Sequence, residues 1–599
     1  MFLPTTRDEI KKLGWDKPDI ILITGDAYLD SSYVGVAVIG KVLSNAGYKV
    51  AIIGQPDIYS EKDITRLGEP ELFWGVTAGA VDSMVANYTA SKKRKKHDDF
   101  TPTGENNKRP DRASIVYSNL IRKYFKNTKP IILGGIEASL RRIAHYDYWD
   151  DDIRRSVLFD AKADALVYGM GEKAIVELAG RLKQGLDFSN VRGICYISNE
   201  PTRPVGQEDG FVILPSYDEV KNDKLKFIEM FHTFYANNDP ITAKGLCQKQ
   251  DTRYLVQNPP SEHLTTAEID DIYDIDYERD VHPYYKKQGE VRALDTIRFA
   301  ITSHRGCYGE CNFCSLTVHQ GTTVISRSEE SIIKEAEKIT GLKGFTGYIS
   351  DVGGPTANTF GIECEKKLKK GICKDKRCLH PVHCKTMKIN HKKQIELLRN
   401  LRKLKGIKKV FIGSGIRYDM VLEDKKYGLE YMKEIINHHV SGQLKIAPEH
   451  TEYEVLRKMG KTRNEYLQIF KDEFYRLTQE AGKKQFLTYY FIAAHPDCSY
   501  KDMEKLKWFI KKELMINPEQ VQIFTPTPST YSTLMYYTEM DPFTPLEKSS
   551  VSKKEYDCNR YQSRQSFLTG FTYEKIFVEK DIKGKELQKS LIVSSRTTD

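Results

Sequence analysis

At 599 residues the chain exceeds one ordinary domain, and its length corresponds to about three or four. Its 40% hydrophobic and 29% charged residues are those of a globular protein with a real core. The 92 basic against 82 acidic residues leave +10, an excess that eases the approach of a phosphate-bearing partner but lacks the concentration of a dedicated nucleic-acid binder.

The first residues, MFLPTTRDEIKK, lack the basic start and apolar core of a signal peptide. No apolar run approaches the ~20 residues that span a bilayer, so the chain is expected in the cytoplasm, where thiols stay reduced. PDIILITGDAY (18–28) reads as a buried strand, GVAVIGKVLSNAGYKV (35–50) as a helix closed by Gly47, and VAIIGQPD (50–57) as the next strand. ASKKRKKHDDFTPTGENNKRPDRAS (90–114) is polar and turn-rich, a long insertion over the strand ends whose KKRKK run is a solvated loop. KPIILGGIEAS (129–139) and ADALVYGMGEKAIVELAGRLKQG (163–185) each repeat strand, glycine turn and helix. The alternation predicts a Rossmann-like α/β domain over 1–200, with a parallel sheet and ligands at the carboxyl ends of its strands. Residues 201–290, rich in Asp, Tyr and Pro, read as an irregular bridging segment.

The second half repeats strand then helix. Strands fall near 298–302, 347–352, 409–413, 443–447, 486–493 and 521–525. Ser326 and Glu329 have capping-box spacing before a helix carrying Ile332, Ile333, Ala336 and Ile339 on one face. Further helices are expected over 392–404 and 464–482. Six such units predict a partial (β/α)6 barrel of TIM type over 291–540, with a Cys-rich insertion at 361–390. Beyond 541 the apolar periodicity fades, and 541–599 is expected to be a partly disordered extension.

Eleven cysteines in a reducing compartment do not make a disulfide framework, and seven of them crowd between Cys307 and Cys384. SHRGCYGECNFCS (303–315) spaces Cys307, Cys311 and Cys314 as CxxxCxxC with no fourth cysteine nearby. Three thiolates hold three irons of a 4Fe-4S cluster and leave the last iron open to a small molecule. Zinc is the rival, with His304 or His319 completing a Cys3His set; the spacing favours iron–sulfur.

With Phe313 just before the last cysteine, this stretch resembles the signature of the radical S-adenosylmethionine superfamily. The resemblance implies that adenosylmethionine chelates the open iron and that reduction cleaves its carbon–sulfur bond. The resulting 5′-deoxyadenosyl radical then abstracts hydrogen from a substrate, with an electron donor such as flavodoxin or ferredoxin as partner. It also implies that Gly353, Gly354 and Pro355 of DVGGPTAN (351–358) stand for a GGE-like motif lining the adenosylmethionine amino group, with Pro355 in place of the acid. Ser414 of FIGSGIR would meet ribose or carboxylate, and IAPEHTEYEVLRKMGK (446–461) resembles the matching segment of methylthiotransferase-like members. GDAYLDSSYVGVAVIGKVL, GGIEASLRRIAHYDYWDD, VYGMGE, SDVGGPTANTFG and IFTPTPSTYSTLMYYTEMDP together resemble the YgiQ-type radical enzymes, over roughly 10–545. That family has no settled reaction, so substrate, product and catalytic residues stay open.

Radical enzymes with a Rossmann-like domain before the barrel often bind cobalamin there through a DxHxxG motif. Asp30, Ser32 and Gly35 match that frame, but Ser32 stands where histidine would ligate cobalt. A domain that shapes a substrate pocket without a cofactor is favoured. Methylthio transfer calls for three cysteines before the barrel, where only Cys195 and Cys247 stand. Cobalamin-assisted or methylthio transfer to a small molecule or RNA remains an alternative, as does a non-enzymatic iron–sulfur or zinc scaffold.

CEKKLKKGICKDKRCLHPVHC (364–384) gathers Cys364, Cys373, Cys378 and Cys384 with His380 and His383, and points to a second metal, zinc or another cluster. Arg141, Arg142, His145 and Asp147 to Asp152 read either as a convergent polar site or as a solvated helix end. His450 and His495 each follow a barrel strand, where substrate groups gather.

Overall fold

A computed structural model describes residues 1–201, 211–546 and 572–593. The chain is a mixed α/β protein with two compact units: residues 1–264, 268–298 and 318–320, and residues 265–267, 299–317 and 321 onward.

In the first unit, β-branched runs make the strands β1 (Ile20–Thr24), β2 (Val50–Gly54), β3 (Phe73–Thr77), β4 (Ile131–Leu133) and β5 (Ala165–Val167). All five are parallel, in the order β2-β1-β3-β4-β5. This is the flavodoxin-like order, whose reversal at β1 and β3 opens a crevice at their carboxyl ends. Helices Gly35–Asn45 and Glu172–Lys183 bury Ala37, Leu43, Ile175 and Leu178 in one cluster with Ile20, Ile52 and Ile132. β3 has no match among the sequence expectations. Gly75 interrupts its apolar run, and a Cβ there would stand 2.5 Å from the Leu22 side chain, so close packing demands the residue that weakens the pattern.

The described part of the segment read as an irregular bridge, 211–290, carries regular strands. β6 (Ile194–Ser198), β7 (Phe211–Leu214), β8 (Gly245–Gln250) and β9 (Arg253–Gln257) extend the sheet to nine strands, in the order β7-β8-β9-β6-β5. β9 runs antiparallel to both β8 and β6. The strands were hidden because β8 and β9 carry Gln and Lys at positions where periodicity expects apolar residues. The long insertion is likewise more than a solvated loop. Lys93 to Lys96 are exposed, but Asp98 and Arg109 are buried.

In the second unit, β10 (Ala300–Thr302) pairs in parallel with β12 (Asp351–Gly353), and β11 (Tyr348–Ile349) with β13 (Lys409–Val410). Ile416 bridges in parallel to Ile446 of β14 (Gln443–Glu449), which pairs with β15 (Phe486–Ala493) and through it with β16 (Gln520–Ile523). Neighbouring strands therefore follow chain order. Ile301, Val352, Ile412, Ile446 and Phe491 share one core with Ile332, Leu398, Ile435, Phe470 and Leu506 of the intervening helices.

One expectation is corrected here. The helix Glu329–Thr340 is capped by Ser328, whose hydroxyl accepts from the Ser331 N–H, whereas Ser326 lies in a strand and its hydroxyl accepts from the Gly361 N–H at 2.9 Å. The C-terminal extension is partly structured. Met540–Leu546 pairs antiparallel with Thr572–Lys575, and the helix Ile582–Ile592 docks through Lys585, which donates to the Tyr536 hydroxyl at 2.8 Å. The polar tract 547–571 and the final 594–599 lie outside the described residues.

Glu434 gives the second unit an acid-sensitive tie. Burial acts to raise its carboxyl, but His439, Arg399 and Arg402 outweigh this and bring it from 4.5 to about 2. A depressed carboxyl stabilises fully above its unfolded value and loses that contribution as pH falls through the folded one. Thermal midpoints measured from pH 6 to pH 2.5 should therefore fall more steeply for the wild type than for E434Q, the two curves converging in the acid.

Candidate functional site

β10 carries the chain into the loop of Cys307, Cys311 and Cys314. Gly306 adopts φ +81°, and a Cβ there would lie 2.0 Å from the Thr323 carbonyl oxygen, so this turn admits glycine only. Gly309 keeps space between the sulfurs: a Cβ on it would stand 3.3 Å from Cys307 Sγ and 3.5 Å from Cys311 Sγ. Its N–H donates to Cys307 Sγ at 3.3 Å. Burial, with Cys311 and Cys307 alongside, pushes the Cys314 thiol up to about 12, and burial also raises Cys311. Such thiols stay protonated unless a cationic group replaces the proton.

Each later strand brings a residue to the same end of the ladder. Gly353 closes β12, Ser414 follows β13, Glu449 ends β14 and His495 follows β15. Several contacts join these loops. Thr356 Oγ1 lies 3.5 Å from Cys307 Sγ, a Cβ on Gly353 would be 3.4 Å from Ser414 Cβ, and Arg417 Nη1 is 3.9 Å from Cys311 Sγ. Phe313 meets the His495 ring edge-on at 6.4 Å.

The loop is buttressed from distant parts of the chain. The Asn312 N–H donates to Met459 O at 2.8 Å, and its carbonyl accepts from the Ser532 N–H at 2.9 Å. Arg377 of the Cys-rich insertion donates to Asn312 Oδ1 at 2.8 Å and to Glu310 O at 3.1 Å.

The GGP turn has a packing reason as well as a positional one. A Cβ on Gly354 would strike His304 Nε2 at 2.6 Å, and the Gly353 carbonyl already accepts from the Ser303 N–H at 2.7 Å. Asp351 accepts from the Gly413 N–H at 2.8 Å and the Ser414 N–H at 3.1 Å, and the Ser414 hydroxyl donates to its other oxygen.

Four residues around the sulfurs were not singled out from sequence: Arg417, Asp419, Glu449 and Lys461. Arg417 and Asp419 lie three and five residues past Ser414, and Glu449 and Lys461 stand inside the quoted IAPEHTEYEVLRKMGK. Only the fold shows that they meet the cysteines. Burial raises the Glu449 carboxyl while Lys461 and Arg417 pull it down. Glu449 itself has φ +67°, backbone strain held at the strand end.

The zinc reading loses its fourth ligand. His304 engages both ring nitrogens, Nδ1 with Ser303 Oγ at 2.9 Å and Nε2 with Thr359 Oγ1 at 2.7 Å. His319 belongs to the other compact unit, where its Nδ1 meets Ser139 Oγ at 3.1 Å. Among the described residues no three His, Cys, Asp or Glu side chains are arranged to hold one metal ion. A cluster differs from a zinc ion here, because each thiolate binds a different iron and the sulfurs need not meet at a point.

In the insertion, Cys364 and Cys378 are buried and Cys373 and Cys384 half-buried. The Cys384 N–H donates to Cys378 O at 2.8 Å, which holds these two together. The two histidines turn elsewhere: His380 Nδ1 to Lys461 O at 3.0 Å and His383 Nε2 to Asp419 Oδ2 at 3.1 Å. They do not join the cysteines.

The polar run after β4 is not one convergent site: Arg141, Arg142, His145 and Asp147 are buried, whereas Asp150, Asp151 and Asp152 are exposed. Arg141 pairs with Asp82 in the interior. Arg142 lies between the rings of Tyr168 and Phe234 and donates to Gln257 Oε1 at 3.0 Å. Asp147 and Asp150 both meet Arg112, and Asp152 meets Lys221 at 2.7 Å. His450 Nε2 faces Cys498 Sγ at 3.6 Å, and His495 Nε2 faces Ser532 Oγ at 2.7 Å.

At the crevice between β1 and β3, the Arg109 guanidinium contacts Asp26, reaches Asp98 at 3.3 Å and donates through Nε to Gly25 O at 3.3 Å. Gln55 Nε2 donates to Gly25 O at 3.0 Å from the neighbouring strand. Asp30 is held by Lys41 Nζ at 3.1 Å and by the Glu278 N–H at 2.9 Å. The chain's own side chains thus occupy this edge.

Among the described residues no helix is long and apolar enough to cross a membrane. The radical SAM N-terminal family matches residues 2–300. A UPF0313 protein of Fusobacterium nucleatum is 57% identical over 99% of both chains. A UPF0313 protein of Thermotoga petrophila is 50% identical over 91% of this chain and 95% of its own. Among solved structures, the radical S-adenosylmethionine methyltransferase TsrM of Kitasatospora setae, with tryptophan and an adenosylmethionine analogue bound, aligns at 12% identity. It covers 94% of this chain and 85% of that one, with a TM-score of 0.48.

Proposed function

This chain belongs to the UPF0313 family, and from that premise we propose that it is a radical S-adenosylmethionine enzyme whose 4Fe-4S cluster is held by Cys307, Cys311 and Cys314. One observation carries the reading: three sulfurs share a single loop around the open side of Gly309, with no fourth cysteine in that loop and the neighbouring His304 engaged at both ring nitrogens. When bound, the cluster supplies the electron that cleaves adenosylmethionine to a 5′-deoxyadenosyl radical, and flavodoxin or ferredoxin is the kind of donor that would feed it.

The six strand segments in chain order support a partial (β/α)6 barrel with this site at its carboxyl end. Gly354 and Pro355 keep carbonyls available to an amino group, whereas the Gly353 carbonyl is committed to Ser303. Asp351 fixes the Ser414 hydroxyl so that its lone pairs can accept from a ribose. Phe313, His495 and Phe524 meet edge-on in a row beside this site. A corrinoid does not fit the first unit's sheet edge, because Asp26, Arg109, Asp98 and Gln55 fill it. Among the described residues Cys364, Cys373, Cys378 and Cys384 are not arranged to share a single zinc ion.

Anaerobic reconstitution with iron and sulfide, followed by adenosylmethionine and a reductant, tests the proposal. Release of 5′-deoxyadenosine is expected even without a substrate. Stoichiometric zinc, or no spectral response to adenosylmethionine, would reject it.

A further inference from the structure

Arg417 is buried beside Cys311, and its surroundings hold it more firmly than an ion pair requires. Its N–H donates to Asn358 Oδ1 at 2.7 Å, and its carbonyl accepts from Asn358 Nδ2 at 3.0 Å. The guanidinium donates through Nε to Asp419 Oδ1 at 2.8 Å and through Nη2 to the other carboxylate oxygen. That fork leaves Nη1 directed at the sulfurs, 3.9 Å from Cys311 Sγ. Glycine at 309 keeps the approach open, since a Cβ there would crowd Nη1 at 3.3 Å. Asp419 Oδ2, the oxygen that accepts from Nη2, also meets Nε2 of His383, next to Cys384 in sequence, at 3.1 Å, and the His383 ring packs edge-on against Tyr466 at 5.6 Å.

We propose that Arg417 is a positioning residue that sets the reduction potential of the cluster through its charge at Cys311, with Asp419 and His383 holding it at that distance. This rests on the cluster assignment above. Reduction adds one negative charge to the cluster, and a fixed cation in a water-poor site favours the reduced state far more than the same charge in solvent. Asp419 both aims the guanidinium and offsets part of its charge. The two residues therefore act with opposite signs, which loosening of the packing would not produce. The Cys-rich insertion gains a task that needs no metal: through His383 it fixes the far end of the relay.

The test uses full-length wild type, R417Q, R417K and D419N, reconstituted anaerobically, with iron counted per chain and the cluster titrated potentiometrically by electron paramagnetic resonance. R417Q should shift the reduced-to-oxidised ratio at fixed potential by at least about tenfold towards oxidised, about 59 mV more negative for one electron. D419N should move it towards reduced, and R417K should stay close to wild type. If R417Q does not retain its cluster, the sign of the D419N shift decides. Intact clusters with unmoved potentials, or shifts of the same sign in R417Q and D419N, would overturn this inference alone. A wild type that takes up no iron would overturn the cluster assignment and this inference with it.

Discussion

Alanine in place of any one of Cys307, Cys311 and Cys314 should lower reductive cleavage of adenosylmethionine by more than about 100-fold, the upper end of what even outer-shell partners of a metal site contribute. Iron retained after anaerobic reconstitution and desalting should fall in parallel. Two thiolates leave a second iron exposed, and a core opened on two corners loses the asymmetry that reserves one iron for a small molecule. The apoprotein should remain folded, because each change removes one half-buried thiol rather than a core packing group. Far-ultraviolet circular dichroism and a thermal scan of the metal-free variants check that. Full activity in any of the three variants would reject the ligand set.

Replacing Arg109 with methionine should destabilise the first unit by about 3–5 kcal/mol, the range for removing one partner from a buried ion pair. The guanidinium is 1% exposed and its partners Asp26 and Asp98 are 0% and 6% exposed, so neither carboxylate can turn to water when it is gone. Burial already raises the Asp26 carboxyl, against the pull of Arg109. Without that pull it rises further, and the penalty is relieved when the group takes a proton. The loss should accordingly be largest near pH 7.5 and shrink towards pH 5. Urea unfolding followed through Trp74, buried in β3, reports on this unit. D26L/R109M should recover part of the loss, since it removes the carboxylate most deeply buried beside Arg109, while Asp98 keeps the Phe100 N–H and the Thr101 hydroxyl as donors. An unchanged midpoint in R109M would mean that water reaches this edge.

Much of the architecture was legible because local pattern and tertiary demand agreed. Phe486–Ala493 reads as a strand in the sequence and forms one over the same residues, its alternate side chains buried. The helix Lys392–Lys403 shows its stripe equally plainly. Legibility failed where long-range packing set the choice. Gly75 is glycine because Leu22 leaves no room, and β8 keeps buried Gln248 and Gln250 because polar partners await them, Pro215 O and Gln248 Oε1. The helix Ile582–Ile592 buries Lys585 and Gln588, so its docking face looks polar in sequence.

The site divides in the same way. The three cysteines declare themselves by spacing, since one loop must supply all three sulfurs. Arg417 and Asp419 become meaningful only when β13 is set beside β12 and the loop after β10. His380 and His383 misled because proximity in sequence to four cysteines looked like a shared task, whereas both rings turn away to Lys461 and Asp419.

The buttressing of the cysteine loop has a consequence for how the protein is made. Asn312 is pinned by Met459 and Ser532, residues that leave the ribosome about 150 and 220 positions after it at roughly 5–20 residues per second. Nascent chains therefore carry those thiols unsupported for many seconds. On the proposed cluster assignment, the folded loop is a target for iron only once synthesis is almost finished, so release of the chain, rather than appearance of the motif, would mark the start of maturation.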